Sequence, residues 1–143
     1  MVDVSSKDVV HRSATAEALV ELNREAFEVL RDNHSAKGDV LTVAQLAGIQ
    51  AAKKTSELIP LCHQIPLDCI EVTFDLDSEN HSVRISSVAE CHARTGVEME
   101  ALMATSIAAL TIYDMLKAVQ RDITIAQIRL VKKSGGRSGE YAR

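Results

Sequence analysis

The sequence predicts an α+β fold of the split βαβ, ferredoxin-like type: a four-stranded antiparallel sheet with helices on one face. Residues 70–76 and 82–89 alternate apolar and polar around the turn Asp77-Ser78-Glu79-Asn80, the pattern of a β-hairpin. Thr95 to Gln120 is a long run rich in Ala, Leu and Met with no Pro, and such runs favour helix. Strand-like stretches at 8–20 and 123–131 flank this centre. The resulting order is β, α in two pieces, β, β, α, β.

Residues 8–20 place His11, Ser13, Thr15 and Glu17 on one face, as an edge-like strand would. Asn23 is a natural cap for a short helix running to about Asn33, with Ala26, Val29 and Leu30 turned inward. Asp39 caps a second helix that runs through Leu58. Gly48 inside that helix costs about 1 kcal/mol against Ala, which predicts a close crossing with another helix. Pro60 and Pro66 then break the pattern before the hairpin.

In the long helix, Thr95 and Glu98 have the spacing of a capping box. The helix is apolar on nearly every face, which predicts burial, yet it carries Glu98, Glu100, Asp114 and Lys117. Buried charges are costly unless paired or used. Glu100 and Asp114 share one stripe but stand roughly 21 Å apart along a straight helix at about 1.5 Å per residue. They cannot serve one bond-breaking event in a small site of a single subunit. Asp114 and Lys117, at i and i+3, can act together, either as an ordinary helix ion pair or as part of a site.

The 143 residues fit a single domain, 1–143, with 132–143 as a flexible, basic, glycine-rich tail. A net charge of −4, few aromatics and no Trp argue against nucleic-acid binding. Cys62, Cys69 and Cys91 are odd in number and lack disulfide spacing, which suits a reducing, cytoplasmic setting. No apolar run reads as a membrane span, and no secretory leader is expected before Val2. The uncovered face of the predicted sheet calls for an oligomer.

The dipeptides Cys62-His63 and Cys91-His92 raise zinc, but adjacent residues seldom point at one metal and no ligand spacing supports it. His63, in a loop between two prolines, fits a general acid/base or a donor to an anion. His81 and His92 read as surface residues beside the hairpin. Lys37 precedes a helix N-terminus, where free N–H groups and the dipole favour an anion. Lys132, Lys133, Gly135, Gly136 and Arg137 form a segment whose backbone can wrap a phosphate. Lys37, Lys117, Lys133 and Arg137 in an acidic protein point to a polyphosphate.

Seven stretches resemble one family: MVDVS at 1–5, KGDVL at 37–41, AGIQAAK at 47–53, LIPLCH at 58–63, TGVEMEAL at 95–102, IYDM at 112–115 and KSGG at 133–136. They are similar, in order and over nearly the whole chain, to the MoaC family of molybdenum cofactor biosynthesis. Departures are few: Gln64 follows His63 with the proline delayed to Pro66, and Arg94 and Arg137 stand where lysines are usual.

The resemblance implies a lyase that converts 3′,8-cyclo-7,8-dihydroguanosine 5′-triphosphate into cyclic pyranopterin monophosphate and releases pyrophosphate. It implies a homohexamer, a trimer of dimers with active sites at the dimer interface, supplied by a radical S-adenosylmethionine enzyme. It places catalytic roles on Asp114, Lys117 and Lys37. Substrate contacts fall on Leu61, Cys62, His63, Glu98, Met99, Glu100, Arg12 and Lys133. No protein-bound metal is implied, and Mg²⁺ enters only as a companion of the triphosphate. Lys117 is expected to have its pKa lowered by burial, to serve as acid and base. Lys37, His63, Lys133 and Arg137 are expected on the triphosphate. The rival reading is a non-catalytic carrier of the unstable intermediate.

Overall fold

The computed structural model describes residues 1–136 and 139–143. Its elements are β1 (Val10–Glu21), α1 (Arg24–Arg31), α2 (Val40–Lys53), α3 (Thr55–Leu58), β2 (Cys69–Asp77), β3 (Ser82–Ala93), α4 (Glu98–Leu116), β4 (Thr124–Ser134) and β5 (Tyr141–Ala142). The sheet runs β2-β3-β1-β4-β5, every described pairing is antiparallel, and the helices pack on one face. The expected α+β architecture is present with a fifth, two-residue strand at its margin.

β1 is not an edge strand. It lies between β3 and β4, and its inward row, Ala14, Ala16, Ala18 and Val20, is at most 1% exposed. Opposite it, β3 contributes Val83, Ile85, Ser87 and Ala89 in direct register. The small alanines let α4 sit close, and its own Ala101, Ala104 and Ala108 are fully buried. Ser87 fixes the contact by donating its hydroxyl to the Ala101 carbonyl at 2.8 Å. Polar side chains on the other face of β1 reflect an open sheet face, and an antiparallel sheet tolerates water there. Glu17 on that face bridges Arg129 at 3.2 Å and Arg84 at 3.6 Å. The open face therefore gives no argument for assembly.

Asn23 caps α1 by accepting from the Ala26 amide at 2.8 Å, and Asp39 caps α2 by accepting from Thr42 at 2.9 Å. Gly48 sits where α2 crosses α4. A Cβ there would lie 2.8 Å from the Ala104 carbonyl oxygen, so only glycine permits this approach. The second helix does not run unbroken to Leu58. The Lys54 amide turns to the Ala51 carbonyl at 3.0 Å, which ends α2 and leaves α3 as a single turn.

The capping box at Thr95 does not form. α4 begins at Glu98 with Val97 as a cap that lacks a side-chain bond, and the Glu98 carboxylate goes instead to Lys133 at 3.0 Å. Lys132, Lys133 and Ser134 are no loose tail. They continue β4 along Thr15, Ala14 and Ser13 of β1, and Lys132 and Lys133 pair with β5 on the other side. α4 is long and apolar enough to cross a bilayer by length and composition, contrary to the expectation of no such run. Half of it is buried within the fold, as befits the core helix.

Candidate functional site

Two adjoining clefts meet at the start of α4. The first, about 520 Å³, lies between the N-terminal end of β1, the Arg94–Glu98 turn and the end of β4. Arg12 is fixed in it by Nε donating to the Ala93 carbonyl at 2.9 Å and a terminal nitrogen donating to the Arg94 carbonyl at 3.2 Å. Gly135 and Gly136, with φ of 91° and 80°, turn tightly over β1: a side chain on Gly135 would collide with the His11 carbonyl, and one on Gly136 with the Arg12 guanidinium. The lining carries four cations, Lys7, Arg12, Arg94 and Lys133, against two carboxylates, Asp8 and Glu98. Arg137 lies outside the described residues.

The second cleft, about 350 Å³, shares Lys7, Thr95, Gly96 and Glu98 with the first. Its own walls include Leu61, Cys62, His63, Met99 and Glu100, together with Val2 and Val4 of the N-terminal segment. Despite the displaced proline, His63 faces this cleft. Its Nε2 lies 2.8 Å from the Val2 carbonyl, which can only accept, so that nitrogen carries the proton.

Glu100 is 4% exposed, and burial pushes its carboxyl above the usual range, with the neighbouring Glu98 charge adding to the rise. The same burial raises the Cys62 thiol and lifts Cys91 to about 11, with Glu100 contributing in both cases. These thiols are kept neutral, which disfavours a nucleophilic role. What this cleft offers is a buried carboxyl group able to hold a proton and an imidazole N–H beside it.

The remaining candidates lie elsewhere. Asp114 stands fourteen residues past Glu100, about 21 Å along the helix at about 1.5 Å per residue. Lys117 and Lys37 reach its two carboxylate oxygens at 2.7 and 2.8 Å, and Lys37 also donates to the Asp114 carbonyl at 2.9 Å. Hydrogen bonds from Lys117 and then Lys37 hold the Asp114 carboxyl down at about 2. The expected burial of Lys117 is absent in the single chain. Its side chain is 55% exposed, and the bond to Asp114 raises its pKa rather than lowering it. Lys37 likewise serves Asp114 rather than the nearby start of α2.

Arg12, Glu98 and Lys133 are thus brought together, and so are Leu61, Cys62, His63, Met99 and Glu100. Asp114, Lys117 and Lys37 form a separate triad. Sequence reasoning missed Lys7, which lines both clefts from a segment with no periodicity to mark it. Among the described residues, no group of three His, Cys, Asp or Glu side chains is arranged to hold a metal, and the cysteines are free.

The chain is 51% identical over all 143 residues to a protein of Peptoclostridium acidaminophilum named cyclic pyranopterin monophosphate synthase, of which it covers 90%. The sequence profile of the MoaC family matches residues 1–136. On both grounds, the chain belongs to the MoaC family.

Proposed function

We propose that this protein converts 3′,8-cyclo-7,8-dihydroguanosine 5′-triphosphate into cyclic pyranopterin monophosphate and pyrophosphate, a lyase step early in molybdenum cofactor biosynthesis. The single observation that carries the reading is the junction of a cationic cleft with a cleft holding a buried carboxyl group and an imidazole. A nucleotide-derived substrate needs both at once. The triphosphate lies against Lys7, Arg12, Arg94 and Lys133, while the ring system lies against Leu61, Cys62, His63, Met99 and Glu100. Arginine suits the phosphates because its planar fork donates two parallel hydrogen bonds.

Rearranging the rings moves protons at several atoms. Glu100, biased toward its neutral form, donates to a ring oxygen or nitrogen, and His63 Nε2–H exchanges its bond to Val2 for one to substrate. Closing the cyclic phosphate requires a sugar-derived hydroxyl to attack the α-phosphorus. The bond from that phosphorus to its bridging oxygen then breaks, and pyrophosphate leaves with the electron pair. Cations around the triphosphate stabilise the charge that develops.

Asp114, Lys117 and Lys37 complete this centre from a second subunit, in a homohexamer built as a trimer of dimers with sites at the dimer interface. Two features support assembly. The triad lies too far from both clefts to join them within one chain, and apolar side chains are left in water on the helical layer. Leu46 is 58% exposed and Leu110 53%. Packing a partner over Lys117 would strip its water and favour the neutral amine, opposing Asp114. A radical S-adenosylmethionine enzyme supplies the substrate, and the site of action is the cytoplasm.

Incubating the purified protein with the cyclised GTP intermediate tests the reading directly. Release of pyrophosphate together with a pterin phosphate is expected. Intact substrate after prolonged incubation with active-site concentrations of protein would leave only a carrier role.

A further inference from the structure

The two clefts share Lys7, Thr95, Gly96 and Glu98, and Lys7 is the one cation of these four. Most of the other cations described above are committed. Lys133 is bound to Glu98 at 3.0 Å, and Lys37 and Lys117 are bound to Asp114. Arg12 donates to the Ala93 and Arg94 carbonyls. Lys7 forms no ion pair among the described residues. Arg94 forms none either, but it lines the first cleft alone.

The position of Lys7 is set from the ring side. Val2 and Val4 line the second cleft, and the Val2 carbonyl accepts from His63 at 2.8 Å. A turn, closed by the Lys7 amide donating to the Val4 carbonyl at 3.0 Å, then carries the lysine to the boundary with the first cleft. A substrate with its phosphates in one cleft and its rings in the other crosses this boundary at the α-phosphate. That phosphorus is also where the cyclic phosphate closes. The hydroxyl oxygen bonds to it, the bond to the α,β-bridging oxygen breaks with its electron pair going to pyrophosphate, and the hydroxyl proton passes to water. Negative charge grows on the departing oxygen, where an uncommitted ammonium stabilises it most.

We propose that Lys7 is the α-phosphate contact of this site and stabilises the departing pyrophosphate oxygen at the junction of the clefts. The inference rests on the placement of the triphosphate and rings given above. Arg12, Arg94 and Lys133 line the first cleft and not the second, so they hold the outer phosphates and with them pyrophosphate itself.

Single-turnover rates with the cyclised GTP intermediate and pyrophosphate affinity by calorimetry, both on the full chain, test this. Lys7→Met keeps the length of the stem and removes the charge. It should slow turnover roughly 10²-fold, the scale of one donor lost from a developing oxyanion, at an unchanged melting temperature. Its pyrophosphate Kd should rise no more than about threefold, because the contact is strongest in the transition state. Lys7→Arg, which restores the charge, should recover at least about a tenth of the wild-type rate. Arg12→Ala and Lys133→Ala should each weaken pyrophosphate binding by about tenfold or more, as a lost charge-assisted bond does. Wild-type turnover in Lys7→Met overturns the proposal. A pyrophosphate Kd that rises as steeply as the rate falls also overturns it, by making Lys7 an outer-phosphate contact. A rate loss that comes with a lowered melting temperature and no rescue by Lys7→Arg assigns Lys7 a structural role and overturns it too. Pyrophosphate binding indifferent to Arg12 and Lys133 removes the triphosphate placement and this inference with it. Wild-type protein that releases no pyrophosphate removes the function proposed above and the inference together.

Discussion

Asp114, held between two lysines at 2.7 and 2.8 Å, behaves as a charged group at any physiological pH. Its carboxyl is depressed from 3.8 to about 2, so the triad stabilises the fold above the unfolded value near 3.8. That contribution is lost as pH falls from about 4 toward 2. Asp114→Asn should therefore flatten the acid limb of a thermal-melting profile: it lowers the melting temperature slightly at pH 7, because an exposed pair contributes little, and converges with wild type toward pH 2. Lys117→Arg should retain the pair and the melting temperature. If Lys117 moves a proton, the same change should lower turnover by 10²-fold or more. Wild-type turnover in Lys117→Arg would reduce this residue to a charge.

Glu100 carries the opposite sign. Its carboxyl is raised by burial, so its contribution is most favourable below the unfolded value near 4.5 and is lost as pH rises through the folded value. Glu100→Gln removes that cost. It should leave stability unchanged at pH 4 and increase it at pH 8 by on the order of 1 kcal/mol, the scale of a buried polar group lacking full compensation. Urea unfolding at the two pH values measures the difference. Activity should fall in the same variant, since an amide cannot give up the proton in question.

At the scale of elements, α2 and α4 meet at Gly48, and the prediction there sets two effects against each other. Alanine would gain up to about 1 kcal/mol of helix propensity. It would also place a Cβ 2.8 Å from a backbone carbonyl that cannot rotate away, and overpacking of this kind costs about 1–3 kcal/mol. Gly48→Ala should be net destabilising, read as a lower urea midpoint with an unchanged slope.

That crossing was legible in the sequence because a glycine in mid-helix needs a reason. The hairpin and the two caps at Asn23 and Asp39 were legible for a similar cause: each is decided by neighbours a few residues apart. The missed features were decided by partners far along the chain. Thr95 and Glu98 have the spacing of a capping box, but Lys133, thirty-five residues beyond Glu98, takes its carboxylate. β1 shows the polar alternation of an edge, yet β4 pairs with it across more than a hundred residues of sequence. The exposed setting of Lys117 was hidden for a related reason. Apolar composition says that α4 is buried, whereas only the packing says which of its faces is left open.

For the whole molecule, the clefts at one end of α4 and the triad near its other end require a statement about subunits. If each working centre takes its clefts from one chain and Asp114 with its lysines from another, two different lesions can complement. Glu100→Gln damages only the cleft contribution, and Asp114→Asn only the triad contribution. Each homogeneous variant should be at least 10²-fold impaired. In a mixed dimer, one of the two centres combines the intact cleft of the Asp114→Asn chain with the intact triad of the Glu100→Gln chain. The other centre carries both lesions. With free exchange of equal amounts, about half of the dimers are mixed and each holds one intact centre of two, so roughly a quarter of wild-type activity should return. Exchange is verified independently by mass spectrometry of differently labelled chains. Recovery under those conditions locates Asp114 and Glu100 in one centre drawn from two subunits. Verified mixed oligomers that stay inactive would place both residues in the service of a single chain's site, and the interface assignment would fall.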